Sequence, residues 1–145
     1  MIALIQRVTE ARVVVDDDVV GAIGAGLLAL IGIERDDDDA NARRMIERLL
    51  GYRVFADDAG RMNRSLRDVA GGLLLVPQFT LAADTRKGTR PGFSSAAEPA
   101  RAEALFSVLA GLAENEHAPV ACGRFGAEMF VTLTNHGPVT FRLEA

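Results

Sequence analysis

The sequence predicts a single mixed α/β domain dominated by antiparallel strand pairing, and three observations carry that prediction. The chain has 145 residues, the size of one domain, and 49% of them are hydrophobic, enough for a core without disulfide or metal staples. Two stretches, residues 36–54 and 99–115, space their apolar residues at a helical period. The remaining apolar runs are short and rich in β-branched residues, which suit a pleated, half-buried surface. The resulting order is strands, helix, strands, helix, strands, with no linker, repeat or internal boundary across residues 1–145.

The elements follow in turn. "IALIQRV" and "ARVVVDD" read as strand, with Asp16 to Asp18 as a hairpin tip. "VVGAIGAGLLALIGI" reads as a strand, a Gly-rich turn at Gly24 to Gly26 and a buried strand. It faintly resembles a dinucleotide loop, but G-x-G-x-x-G is not satisfied and no helix follows, so a hairpin turn is expected. In "DDDDANARRMIERLLGYRV", Met45, Ile46, Leu49 and Leu50 fall on one helical face. Asp36 to Asp39 supply an N-cap and negative charge at the positive end of the helix dipole. "FADDAGRMNRSL" is a polar, turn-rich connection, and "GGLLLVPQFTL" an apolar strand ending in polar groups. "AADTRKGTRPGFSSAAEP" is a loop of a length that usually has a function. Pro99 suits the first turn of the second helix, with Leu105, Val108, Leu109 and Leu112 expected inward. "APVACGRF", "AEMFVTLTN" and "VTFRLEA" read as three closing strands, the last two separated by a tight turn at Gly137-Pro138.

Composition excludes several function classes. The net charge of −4 argues against broad binding along nucleic-acid backbones, DNA included, yet allows a protein that grips one end of an RNA. No apolar run approaches the ~20 residues of a membrane span. Arg7, Glu10 and Arg12 interrupt the N-terminus too early for a signal peptide, so a cytoplasmic location is expected. Cys122 is the single cysteine and reads as a small buried apolar residue. His117 and His136 lack metal-ligand spacing, so neither a metal nor a cofactor is expected, and His136 reads as an exposed turn residue. No G-x-S-x-G elbow is present. Two stretches stand apart. "VPQFTL" delivers Gln78, Phe79 and Thr80 at the end of a buried strand, and "DTRKGTRPGF" follows with Arg86, Lys87 and Arg90, cations suited either to phosphate or to solvent.

Taken together, "MIALIQRVTEARV", "GAIGAGLLALIGI", "LLGYRVF", "QFTLAADTRKGTRPGF" and "GRFGAEMFVTLTNHGPVTF" resemble the D-aminoacyl-tRNA deacylase family over essentially the whole chain. Two motifs are diagnostic: the S-Q-F-T-type strand end, here Pro77-Gln78-Phe79-Thr80, and N-x-G-P-V-T, here Asn135 to Thr140. Proline replaces the usual serine at position 77, so any contact of that serine does not carry over. The resemblance implies a three-layer α/β/β fold, a homodimer with a cross-subunit active site, and hydrolysis of the ester at the 3′ end of D-aminoacyl-tRNA. It further implies that Gly137-Pro138 is a cis peptide inserted into the partner subunit's pocket, and that Arg7 fixes its orientation.

That chemistry explains the missing nucleophile. The terminal ribose carries a hydroxyl next to the ester, so the protein has mainly to position the substrate and polarise its carbonyl. Thr80 and the Phe79 N–H are the candidates for the carbonyl and developing oxyanion, and Gln78 for the terminal ribose or adenosine. Thr80 as covalent nucleophile ranks lower, because no base is matched to it. D- and L-esters differ only in where Cβ points. A backbone wedge of Gly137 and Pro138 could therefore reject L-residues sterically, and glycyl-tRNA would pass it. Two further classes stand beside this one: a non-enzymatic dimeric module that binds RNA ends or a small ligand, and a metal- or triad-dependent esterase.

Overall fold

The computed structural model describes all 145 residues. Strand β1 (Ile2–Val15) is the spine of the molecule and pairs antiparallel with β2 (Asp18–Ile23), β3 (Gly26–Gly32) and a long strand at the end of the chain, Phe130–Glu144. Asp16 and Asp17 turn β1 into β2 with φ of 50° and 66°, left-handed values that aspartate tolerates and that a two-residue hairpin requires.

Helix α1 (Asp39–Gly51) then returns the chain across the sheet. Asp38 caps it by accepting from the Ala40 and Asn41 amides, and Asn41 reaches back to the Asp38 N–H, closing a capping box. Ala42, Met45, Ile46, Leu49 and Leu50 are buried, the face expected from their spacing. The polar connection has structure of its own: a short hairpin of β4 (Phe55–Ala56) and β5 (Met62–Arg64), then one turn of helix, α2 (Leu66–Val69). Asp57 makes the hairpin by accepting the Ala59 and Arg61 amides, a local turn that hydrophobic periodicity does not register.

Strand β6 (Gly72–Pro77) pairs parallel with β3, and β7 (Val120–Cys122) pairs parallel with β6. Antiparallel pairing therefore dominates without being exclusive. The crossovers through α1 and through α3 (Pro99–Glu116) cause this, because a chain carried back across the sheet lays its next strand down in the same direction. Strand β6 is covered on both faces, which explains its unbroken apolar run. A Cβ on Gly26 would meet the Gly72 carbonyl oxygen at 1.9 Å, so glycine is what lets the two strands start this close together.

Side chains of β1, β3 and β6 alternate between two apolar clusters. Ala3, Ile5, Leu27, Ala29, Ile31, Leu73 and Leu75 pack with the helices, while Val8, Ala11, Val13, Leu28, Leu74 and Val76 form a smaller cluster on the other face. Helix α3 buries Ala102, Leu105, Phe106, Leu109 and Ala113, whereas Val108 is exposed and Leu112 only half-buried. The expected inward stripe is thus rotated: Phe106 supplies a larger apolar side chain than Val108, and the helix turns it to the core.

The end of the chain departs most from expectation. The segment from Phe130 to Glu144 is one strand, β8, and both of its halves pair with β1. Gly137-Pro138 is therefore no hairpin turn, because the chain keeps its direction across it. The six strands β1, β2, β3, β6, β7 and β8 form one hydrogen-bonded sheet, separate from the β4–β5 pair. No helix is long and apolar enough to cross a membrane.

Candidate active site

Strand β6 ends at Pro77, whose missing N–H interrupts nothing toward β3, since the donor of the Ile31–Pro77 pair is the next amide: Gln78 N–H donates to the Ile31 carbonyl at 2.7 Å. The chain then tightens into a 3-10 turn over Phe79–Ala82. No side chain caps that turn, so the Phe79 and Thr80 N–H groups lie where helical geometry supplies no partner. The Gln78 side-chain amide donates to Thr80 Oγ1 at 2.5 Å, which leaves the threonine hydroxyl hydrogen free to donate in turn. Both Phe79 and Thr80 are exposed.

Beside this turn lies a cleft of about 490 Å³. Val76, Pro77, Gln78 and Phe79 form one wall, Phe125 to Ala127 with Met129 and Val131 the facing wall, and Ala97, Pro99 and Ala102 the side at the start of α3. Eight of its twelve lining residues are hydrophobic and Gln78 supplies its one polar side chain, which gives it the character of a small-molecule or nucleoside pocket. Phe125, Met129 and Val131 escaped the sequence reading because alternation along a strand predicts which side chains are half-buried, not which of them border a cleft.

The second motif is built differently. Gln6 pairs with Thr140 and Val8 with Asn135, so residues 136–139 bulge out of β8 opposite the single residue Arg7. Asn135 holds the neck of the bulge. Its Oδ1 accepts the Val139 N–H at 2.8 Å and its Nδ2 donates to the Val139 carbonyl at 3.0 Å, so the side chain pairs as a neighbouring strand would. Arg7 braces the outside, donating from Nε to the His136 carbonyl at 2.8 Å and from a terminal nitrogen to the Val54 carbonyl at 2.6 Å. The Gly137-Pro138 peptide at the crest is cis, and His136, Gly137 and Pro138 are exposed. A Cβ on Gly137 would meet the Val139 nitrogen at 2.3 Å, so the crest admits no side chain there.

Within one chain the two motifs do not meet. Arg7 pairs with Leu27 at one end of β3, whereas Gln78 follows the Ile31–Pro77 pair at the other, about 13 Å along the strand by the usual rise per residue. Gly137 and Pro138 do not line the cleft beside Gln78 and Phe79.

Other candidate groups are engaged elsewhere. His117 pairs through Nε2 with the Gly71 carbonyl at 2.6 Å, at the end of α3. Burial, reinforced by Glu114, pushes the Cys122 thiol up to about 11, so it stays protonated at neutral pH. No group of three or more His, Cys, Asp or Glu side chains gathers in a way that would hold a metal ion.

The chain is similar to known proteins over its whole length. The family model described as D-Tyr-tRNA(Tyr) deacylase matches residues 4–144. A D-aminoacyl-tRNA deacylase of Alkalilimnicola ehrlichii is 68% identical over 145 residues, which cover 100% of this chain and 97% of that protein. One from Stutzerimonas stutzeri is 62% identical over 145 residues and 100% of both chains. A solved structure described as c-Myc DNA Unwinding Element Binding Protein superposes with a TM-score of 0.95 at 36% identity, over 100% of this chain and 99% of that one. With both motifs in place and the match unbroken along its length, the chain belongs to the D-Tyr-tRNA(Tyr) deacylase family.

Proposed function

We propose that this protein is a D-aminoacyl-tRNA deacylase, a hydrolase that cleaves the ester between a D-amino acid and the terminal adenosine of tRNA. One observation carries the mechanism: Gln78 and Phe79 line an otherwise apolar cleft that holds no nucleophile–base pair, and the uncapped turn they open places the Thr80 hydroxyl, hydrogen-bonded to Gln78, directly after them in the chain. The terminal adenosine enters the cleft, with Gln78 at its ribose. The ester carbonyl lies against the Phe79 N–H and the Thr80 hydroxyl. Water attacks the carbonyl carbon and the oxyanion is held by those donors. The carbon–oxygen ester bond then breaks, and the ribose oxygen leaves with a proton. The adjacent ribose hydroxyl orients the water, which relieves the protein of supplying a base.

Selectivity comes from the partner subunit of a homodimer. The exposed crest at Gly137 and Pro138 lies away from its own cleft, which supports a wedge that acts in trans. Its main-chain atoms meet the amino group and Cα hydrogen of the substrate and leave no room for an L side chain. Arg7 sets its angle through the His136 carbonyl. On the same reading the dimer has the α/β/β layering of the family.

The test is hydrolysis of D-, L- and glycyl-tRNA by the purified protein. D-esters are cleaved, L-esters are spared, and glycyl esters are cleaved because glycine has no Cβ to exclude. Intact D-aminoacyl-tRNA would leave a binding module as the alternative, and resistant glycyl-tRNA beside cleaved D-esters would rule out steric exclusion.

A further inference from the structure

The loop that follows the candidate catalytic turn has a construction that hydrolysis of the ester does not explain. It leaves the 3-10 turn at Ala83 and closes on itself at once: Asp84 N–H donates to the Gly92 carbonyl at 2.7 Å and Gly92 N–H to the Asp84 carbonyl at 3.0 Å. It returns beside the site, where the Phe93 and Phe79 rings meet with centroids 5.1 Å apart. Residues 85–91 are thus a closed, exposed loop tethered to the catalytic turn at both ends. These residues carry three cations, Arg86, Lys87 and Arg90, and the one carboxylate beside them is Asp84 at the base of the loop, in an otherwise acidic chain.

These cations are not equivalent. Arg86 turns back on Asp84 through Nε at 2.9 Å and a terminal nitrogen at 2.8 Å, while its backbone N–H also donates to that carboxylate. The hydrogen bonds from the Arg86 side chain hold the Asp84 carboxyl far below its ordinary range, and this bidentate pair compensates the Arg86 charge at the base of the loop. Lys87 and Arg90 have no ion-pair or hydrogen-bonding partner and stand exposed on either side of Gly88, whose φ of +69° turns the tip of the loop.

We propose, resting on the deacylase reading, that Lys87 and Arg90 bind phosphates of the single-stranded 3′ end of the tRNA and lead the terminal ester into the cleft. A protein of net charge −4 has to meet RNA on a local positive surface, and this one is anchored to the catalytic turn itself. The Arg86–Asp84 pair fixes the shape of the loop and touches no RNA.

The experiment compares D-aminoacyl-tRNA with the same D-amino acid esterified to adenosine alone, which has no phosphodiester. In the Lys87→Ala/Arg90→Ala variant, KM for the tRNA rises at least tenfold with kcat unchanged, while hydrolysis of the adenosine ester keeps wild-type kinetics. The slope of log(kcat/KM) against log[salt] becomes shallower by about 1.4, two single-strand phosphate contacts. Lys87→Arg/Arg90→Lys restores both quantities. Unchanged tRNA kinetics, or equal losses on both substrates, would overturn the proposal while leaving the deacylase reading intact. A wild-type protein inactive on both esters would remove that reading and this proposal with it.

Discussion

At the scale of single residues, Thr80 is where the proposed polarisation of the ester can be tested apart from folding. It is exposed and its hydroxyl accepts from Gln78, so its removal disturbs no core. Thr80→Ala is expected to lower kcat on D-aminoacyl-tRNA by about a hundredfold, the usual cost of one oxyanion donor. Its thermal unfolding should stay at the wild-type temperature, and unchanged kinetics would remove Thr80 from the site. The ionisation of Asp84 belongs to the same scale. Its folded-state pKa is depressed, so the Arg86 pair contributes above the ordinary aspartate range and is lost only as pH falls through the folded-state value. The loop of residues 85–91 therefore keeps its Asp84–Arg86 clamp throughout the neutral range. Pro77 costs the pairing with β3 nothing, because in the parallel Ile31–Pro77 pair the donor to the Ile31 carbonyl is the Gln78 N–H.

At the scale of elements, the informative unit is the bulge in β8. An ordinary strand would run past Arg7 in register; here residues 136–139 are held out of the ladder by the Asn135 side chain on one side and by Arg7 on the other. Asn135→Ala deletes both bonds to Val139, whose backbone is partly shielded from solvent, and is expected to cost about 1–2 kcal/mol of stability in denaturant unfolding. The more telling effect is on selectivity. With the neck released, the ratio of D- to L-ester hydrolysis should fall, and an unaltered ratio would show that the wedge does not depend on its clamp.

At the scale of the whole molecule, the separation of the two motifs makes a prediction that no single-chain site shares. If the proposed dimer and site are right, a Thr80→Ala dimer lacks the oxyanion donor, and a Gly137→Ala dimer carries a displaced crest because the new Cβ would meet the Val139 nitrogen at 2.3 Å. Each should be strongly impaired. Unfolded together and refolded, they form mixed dimers in which one of the two sites combines an intact Thr80 with the partner's intact crest. Random pairing should recover about one quarter of wild-type turnover, as an isologous two-fold assembly requires. No recovery in a verified mixed dimer would place both motifs' functions within one chain.

Sequence alone determined the inventory of this protein: two amphipathic helices, the apolar strands, the hairpin at Asp16 and Asp17, and the two motifs around Phe79 and Pro138. Those features are local, written in periodicity, turn chemistry and short motifs that a linear reading can see. Only the tertiary structure decided that β3, β6 and β7 run parallel, that Phe106 and not Val108 faces the core, and that the chain passes Gly137-Pro138 without reversing. It also decided that Arg86 pairs with Asp84 while Lys87 and Arg90 remain free, although the three are nearly adjacent in sequence. The reason is common to all of these. Strand direction, helix rotation and the fate of a charge depend on partners far along the chain or across a loop, and a one-dimensional pattern does not specify which partner a residue will meet.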